Sequence, residues 1–141
     1  MKIKPLLFAF AAATWVSCNN NDEGSAQTID GAYKLVSVRG GIAGTNDTFN
    51  DGSITWTFEN NGTVTVWNTN TDDSKQDLME SGEYLYTFQP NPATPESCAE
   101  ALYIDGVSYG CYGLNGNTMT LNQVENDGYE VTLEKLNIVV D

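Results

Sequence analysis

The sequence predicts an all-β fold: an eight-stranded antiparallel up-and-down β-barrel, preceded by a signal peptide and a flexible tether. Apolar residues alternate with polar ones in short runs instead of recurring at the spacing of an amphipathic helix. The runs are rich in β-branched and aromatic residues. Pairs such as Asp105-Gly106 separate several runs and suit tight hairpin turns. Strands that follow one another in sequence are therefore expected to pair in the sheet.

Residues 1–17 have the features of a signal peptide. Lys2 and Lys4 supply positive charge before an apolar segment, 6–16, that is shorter than the ~20 residues a membrane-spanning helix needs. We predict that this segment is removed on maturation. Residues 18–30 are mostly Asn, Asp, Glu, Gly and Ser, the composition of a flexible tether. Residues 31–141 remain as one domain.

Cys18 follows Ser17 at the end of the apolar segment. This pattern resembles the lipobox of bacterial lipoproteins, with Trp15 at a position where Leu is usual. The resemblance implies that Cys18 is lipidated and becomes the first mature residue, so that its acyl chains anchor the protein to the outer membrane. The alternative is a soluble secreted protein with an incidental cysteine. Residues 19–23 resemble the surface-export signal of certain Gram-negative lipoproteins. The alternative is that they are simply part of the tether. The domain could therefore face either the periplasm or the cell surface.

The chain is strongly acidic and has no histidine. Without the first seventeen residues it keeps four basic and nineteen acidic residues, a net charge of −15. Nucleic acid and anionic lipid headgroups repel such a polyanion, so we expect no nucleic-acid partner. Histidine is the usual general base and the commonest zinc ligand. We therefore expect a protein that is not an enzyme and has no metal or cofactor.

Eight strands are predicted in the domain. They cover 32–39, 54–59, 63–68, 83–88, 99–104, 107–113, 118–124 and 129–137. The clearest is Ile54-Thr55-Trp56-Thr57-Phe58, which places its apolar side chains on one face. No segment is convincingly helical. The same strands could form an open sandwich, but a closed barrel is favoured because it leaves no strand edge unpaired.

Cys98 and Cys111 remain as an even pair in an exported chain, and we predict a disulfide between them. The alternative is two buried free thiols. A two-residue turn at Asp105-Gly106 would pair Glu100 with Cys111, leaving Cys98 diagonal to it. A bulge or a longer loop would then bring the two sulfur atoms together.

Residues 68–83 form an acidic segment that invites comparison with a calcium-binding loop. The EF-hand spacing does not fit, because Asp73 stands at the glycine position and Met79 at the position of the bidentate glutamate. We expect a solvated acidic loop instead.

Three segments resemble the lipocalin-like (calycin) lipoproteins of Gram-negative bacteria. "IDGAYKLVSV" resembles the Gly-x-Trp opening of that family, with Gly31 at the glycine and Tyr33 at the tryptophan. "ITWTFENNGTVTVW" resembles its following hairpin, and "LNGNTMTL" with "YEVTLEKL" its closing strands. The resemblance implies that Tyr33 packs against Lys135 under the barrel floor. The opening strand also resembles the META domains, but their Gly-Cys-Asn signature is missing from the sequence.

An eight-stranded barrel is either filled by its own side chains or holds one small ligand. The resemblance implies the second arrangement, an aromatic-lined cavity for a small apolar ligand. The candidate lining residues are Trp56, Phe58, Tyr84, Tyr86 and Tyr109. In the alternative, these aromatics fill the barrel and the domain is a non-enzymatic interaction or structural module of a cell-surface assembly, with an unidentified protein partner.

Overall fold

The computed structural model describes residues 29–91, 98–123 and 127–137. The predicted signal peptide and the predicted lipidation at Cys18 lie outside the described residues. Within the described residues every regular element is a strand, and no helix is long and apolar enough to cross a membrane. The strands are β1 (Gly31–Gly40), β2 (Thr45–Thr48), β3 (Ile54–Phe58), β4 (Thr63–Asn68), β5 (Gly82–Pro90), β6 (Glu100–Ile104), β7 (Val107–Asn115), β8 (Thr118–Asn122) and β9 (Tyr129–Lys135).

All neighbouring strands are antiparallel, and β1 pairs with β9 to close the sheet. The barrel wall is β1 followed by β3 to β9, so the predicted eight-stranded up-and-down barrel is confirmed. One edge of β1 pairs with β9. The other edge is shared, because its first half pairs with β3 and its second half, from Ser37 to Gly40, pairs with β2.

The short strand β2 was not predicted from the sequence. Its four residues, Thr-Asn-Asp-Thr, include no apolar side chain, and none of them is buried. Strand patterns in sequence reflect one buried face and one exposed face. Because β2 is added outside the closed wall, it has no buried face that could produce such a pattern.

The β6–β7 hairpin contains a β-bulge that changes its register. Ile104 pairs with Val107 across the turn, but Leu102 pairs with Gly110, which leaves Tyr109 as the extra residue. Gly110 has φ +82°, and a Cβ there would collide with the carbonyl oxygen of Asn122. Cys111 consequently pairs with Ala101, and the predicted pairing with Glu100 is wrong by one residue.

The inner face of the barrel forms one core. Its largest fully buried side chains include Trp56, Phe58, Leu102, Met119 and Leu133. Ile29 is also part of this core, with 2% of its surface exposed. The sequence placed Ile29 in the tether, so the packed domain begins at least two residues earlier than predicted. A single apolar residue beside a polar tether has no periodic pattern to reveal its burial.

Connections between antiparallel wall strands alternate between the two ends of the barrel. The floor end holds the β3–β4 and β7–β8 turns, together with the start of β1 and the end of β9. The strap end holds the β6–β7 turn and residues 69–81, the segment between β4 and β5 that we call the strap. The two ends differ in how their side chains are held.

Candidate functional site

The floor end is built around Tyr33 and Lys135. The two residues are paired between β1 and β9, and Lys135 Nζ lies 5.8 Å from the centre of the Tyr33 ring. Gly31 has φ +120°, and a Cβ there would lie 2.9 Å from Lys135 Cε, so the glycine leaves room for the lysine side chain. The predicted contact between Tyr33 and Lys135 is present. A contact of this kind contributes about 0.5–1 kcal/mol.

A chain of aromatic rings extends from the floor. The ring centre of Phe58 lies 5.9 Å from that of Tyr33 and 5.2 Å from that of Tyr86, both in edge-on contact. Tyr86 continues the chain to Phe88, which packs at 4.6 Å on Tyr112. The Tyr86 hydroxyl donates a hydrogen bond of 2.8 Å to the Glu59 carbonyl oxygen, and burial raises the pKa of this phenol. The floor thus combines packed rings with a tyrosine hydroxyl that has a partner.

Trp56 occupies the interior on β3, between its strand partners Tyr33 and Val66. It is fully enclosed, with 0% of its surface exposed. Its ring is perpendicular to that of Tyr109, with 5.8 Å between centres. Among the described residues, Trp56 Nε1 is the one buried side-chain polar atom without a hydrogen-bond partner. A buried donor left in this state costs about 1–3 kcal/mol, so its environment requires an explanation.

Two tyrosines complete the candidate lining set: Tyr109, which contacts the indole, and Tyr84, which is a neighbour of Tyr109. Tyr109 is the extra residue of the β-bulge and is 9% exposed. Burial raises its pKa, and the neighbouring Tyr84 raises it further. The Tyr84 hydroxyl donates a hydrogen bond of 2.9 Å to the Glu80 carbonyl oxygen.

The five candidate lining residues all contribute to the same core cluster. Trp56 and Phe58 are completely enclosed, at 0% and 1% exposure, so they are packed against neighbours and do not line an open cleft. Tyr84 and Tyr86 are partly exposed. The structure therefore brings the predicted residues together, but closes the interior around Trp56 and Phe58.

The strap contributes Met79, which sequence reasoning treated only as a mismatch to a calcium loop. Met79 is 8% exposed and belongs to the core cluster. The preceding residue, Leu78, has φ +71°, an unusual conformation for a leucine. The side-chain amide of Asn68 donates hydrogen bonds to the Met79 carbonyl oxygen and to Asp77 Oδ2, each 2.9 Å long. The sequence signal for this burial was the pair Leu78-Met79 within an otherwise polar segment.

The strap crosses the barrel end and attaches to β2 through surface contacts. Lys75 Nζ donates a hydrogen bond of 2.7 Å to the Thr48 carbonyl oxygen and lies 5.6 Å from the centre of the Phe49 ring. The Gln76 backbone N–H donates a hydrogen bond of 2.8 Å to Asp47 Oδ2. These contacts give β2 a structural role, because it supplies the attachment point for the strap.

Two acidic side chains of the strap, Asp72 and Asp77, accept hydrogen bonds from nearby residues. Asp77 accepts hydrogen bonds from the amides of Asn68 and Asn70, and Asp72 accepts from Ser74. The hydroxyl and backbone N–H of Ser74 lower the pKa of Asp72. In the described ranges 29–91, 98–123 and 127–137, His, Cys, Asp and Glu side chains form no group of three or more that could hold a metal ion.

The predicted disulfide is confirmed. Cys98 and Cys111 are bonded, with 5.7 Å between their Cα atoms, and the bond ties the segment before β6 to β7. The β-bulge places Cys111 opposite Ala101, one residue farther from Cys98 than predicted, so it is the segment before β6 that brings Cys98 to Cys111.

Four large apolar side chains are exposed among the described residues, Ile42, Trp67, Leu85 and Val107, and two of them lie on the neighbouring wall strands β4 and β5. Trp67 on β4 and Leu85 on β5 are each 64% exposed. Both alternate with inward-facing neighbours on their strands, so they point away from the barrel interior.

Comparisons with protein-family models, with curated proteins and with solved structures give no match to this chain.

Proposed function

We propose that this protein is a non-enzymatic envelope lipoprotein, anchored to the outer membrane through Cys18, whose barrel binds a small apolar ligand at the strap end. The observation that carries the proposal is the unpartnered Trp56 Nε1 donor, enclosed in an aromatic interior. Ligand sites in proteins are mostly apolar, with a small number of polar groups that orient the ligand. The barrel interior has this composition.

The character of the interior supports an apolar ligand. Among the described residues, Ser37 is the one buried residue that is polar or charged, and the rest of the core is hydrophobic. Since Trp56 and Phe58 are fully enclosed, a ligand needs room that the closed barrel does not provide. Withdrawal of Met79 with the strap creates such room.

The strap is suited to this movement because its contacts with β2 are weak. Lys75 and Gln76 hold it there through two hydrogen bonds that are exposed to solvent. Each contributes about 0.5–1.5 kcal/mol, more when one partner is charged. Opening requires the loss of these surface contacts, of the part-buried hydrogen bond from the Asn68 amide to the Met79 carbonyl oxygen and of the Tyr84–Glu80 hydrogen bond. It exposes one methionine, while the wall strands keep their pairing.

The anchoring part of the proposal rests on the sequence. Lys2 and Lys4, the short apolar segment and the Ser17-Cys18 pair together match a lipoprotein signal. The non-enzymatic part rests on the absence of histidine from the sequence and on the lack of any catalytic motif within it.

Native mass spectrometry of the full chain, extracted in mild detergent, tests ligand binding. We expect a co-purifying small molecule of low polarity that is released when the protein is unfolded. A fully ligand-free spectrum across several growth conditions contradicts the proposal.

Cell fractionation of Cys18→Ser tests the anchor. The substitution removes the thiol that accepts lipid, so we expect the domain to be released from the membrane fraction. Cys98→Ser is the matched control, because it also removes a cysteine but leaves the proposed lipidation site. Retention of Cys18→Ser in the membrane contradicts the lipid anchor.

A second candidate function is an accessory module of a cell-surface assembly, for which the exposed Trp67 and Leu85 are the specific observation. Large exposed apolar side chains often mark protein contacts, and tryptophan is enriched in their energetic centres. A protein that co-purifies with the wild-type chain and is lost in Trp67→Ser favours this function. Its retention in Trp67→Ser counts against a contact through this surface.

A further inference from the structure

We infer that the ligand of the barrel is an uncharged molecule that presents a hydrogen-bond acceptor oxygen to Trp56 Nε1. The inference rests on the proposed function and specifies the chemistry of the same site. The ligand class is an apolar compound with a carbonyl or ether oxygen, such as a ketone, an aldehyde or an ester.

The need for an acceptor follows from the indole itself. The tryptophan side chain has one N–H donor and no oxygen or nitrogen acceptor. In the closed barrel this N–H group is buried among aromatic rings, and no described side chain or backbone group accepts a hydrogen bond from it. The perpendicular ring of Tyr109 is at best a weak acceptor for an N–H group. A ligand oxygen would restore the hydrogen bond that burial removed.

The tyrosine hydroxyls of the interior do not fill this role. Tyr84 directs its hydroxyl to the Glu80 carbonyl oxygen, and Tyr86 directs its hydroxyl to the Glu59 carbonyl oxygen. Tyr109 contacts the indole through its ring. The acceptor must therefore come from a molecule other than these side chains.

The ligand must be uncharged because the described core offers no counter-charge. Its buried side chains are hydrophobic except for Ser37. Lys135 lies at the floor against Tyr33, and Lys75 is bound to Thr48 on the outside of the strap end. A carboxylate beside Trp56 would be buried without a cation, which is strongly unfavourable. This argument separates the expected ligand from free fatty acids.

The strap end is the entry route. The strap reaches the interior at two adjacent residues. Met79 belongs to the core cluster that contains Trp56, and the Tyr84 hydroxyl donates a hydrogen bond to the carbonyl oxygen of Glu80, the residue after Met79. Movement of residues 79 and 80 therefore frees the Met79 space and breaks the Tyr84 hydrogen bond together. A ligand that enters by this route reaches the core cluster that contains Trp56.

A matched pair of probes tests the inference. Acetophenone and ethylbenzene have the same carbon skeleton, and only the ketone has an acceptor oxygen. Dissociation constants for both are measured with the full lipidated chain in nanodiscs, for the wild type, Trp56→Phe and Trp67→Phe. Because partitioning of the probes into lipid is the same for every variant, the ratio of the two constants compares only the sites.

We expect Trp56→Phe to weaken the binding of acetophenone relative to that of ethylbenzene by about tenfold, which corresponds to about 1.4 kcal/mol. Trp67→Phe, which alters a tryptophan on the outer surface, should leave the ratio unchanged. In the wild-type protein, acetophenone should move the Trp56 indole N–H resonance downfield in an NMR spectrum, and ethylbenzene should not. The NMR measurement tests the inference even if Trp56→Phe does not fold.

The outcomes separate the inference from the proposed function. Both probes could bind while Trp56→Phe leaves the ratio of their dissociation constants unchanged and acetophenone does not move the Trp56 resonance. In that case the acceptor inference is wrong and the proposal of an apolar site remains. If neither probe binds, both are overturned. The inference is also overturned if acetophenone moves only the indole N–H resonance of Trp67, because the probe then binds on the outer surface.

Discussion

The two ends of the barrel hold their side chains in different ways. At the floor, Phe58 packs between Tyr33 and Tyr86, and the polar tip of Tyr86 is hydrogen-bonded. In the interior, Trp56 has an indole N–H without a partner. At the strap end, the cover is a segment that is attached to β2 by exposed hydrogen bonds and to Asn68 by part-buried ones. One end keeps its packing through the barrel wall itself, whereas the other depends on a connection that lies across it.

This difference indicates how one small barrel can be both stable and open to a ligand. Rings that are fixed between paired strands move only when the sheet unfolds. A connecting segment can leave the surface while every wall strand stays paired. We therefore expect global stability to reside mainly in the floor end and local opening to occur at the strap end.

The largest expected effect is that of Phe58→Ala at the floor. Phe58 is 1% exposed and contacts Tyr33, Trp56 and Tyr86, so its removal leaves a cavity in the best-packed region. We expect a loss of about 3–5 kcal/mol in the free energy of unfolding, measured by chemical denaturation. A loss below that of Met79→Ala would show that the floor is not the more important end.

Removal of the disulfide comes next. The Cys98→Ala/Cys111→Ala double variant frees the segment before β6 from β7, which the bond joins across a sequence separation of 13 residues. We expect a loss of about 2–3 kcal/mol in the same denaturation experiment. Reduction of the wild-type protein should produce a similar loss. No change in either case would mean that strand pairing alone holds this segment.

Met79→Ala examines the strap end directly. Met79 is buried, but it lies on a segment that can settle into the space left behind. We expect a loss of about 2 kcal/mol, at the low end for such a substitution. Binding of acetophenone should become tighter at the same time, because the closed state no longer fills the site. Weaker binding would contradict the assignment of Met79 as the side chain that a ligand displaces.

The smallest expected effect on global stability is that of Asp47→Ala. Asp47 accepts the hydrogen bond from the Gln76 backbone N–H, so the strap loses one of its contacts with β2. We expect a global loss of about 0.5 kcal/mol, the low end for such a bond. Hydrogen exchange at Gln76 and Met79 should nevertheless accelerate several-fold, while exchange in β3 stays unchanged.

Asp51→Ala is the matched control for the strap. It removes the same charge from an exposed carboxylate that pairs with Lys34 on β1, at 2.6 Å, and not with a strap residue. Strap exchange should remain as in the wild type. Equal acceleration in both variants would point to a general charge effect.

Most of the fold could be predicted because inward and outward residues alternate along the wall strands. Ile54, Trp56 and Phe58 show this pattern on β3, and the Asp105-Gly106 turn shows how β6 joins β7. The polar strand β2, the buried Ile29 and the bulge at Tyr109 left no such pattern. β2 is polar throughout, Ile29 stands alone beside a polar segment, and a bulge interrupts the alternation on which the strand prediction depends.

The candidate site was predicted less completely. Aromatic content and strand alternation identified Trp56, Phe58, Tyr84, Tyr86 and Tyr109, which the structure brings to one core. The packing of Trp56 without a partner could not be predicted, because hydrogen-bond satisfaction depends on all neighbours in space. Burial of Met79 was missed for a related reason, since the surrounding strap residues are polar.

Closure of the barrel by β1 and β9 also affects how the protein is made. The pairing of Tyr33 with Lys135 joins the first wall strand to the last, so the barrel cannot close until synthesis has passed β9. Contacts between such distant segments make folding slow. Until they form, β1 and β8 each present an unpaired edge that other chains can join. The newly made protein is therefore at greatest risk of aggregation during the interval before its last strand becomes available.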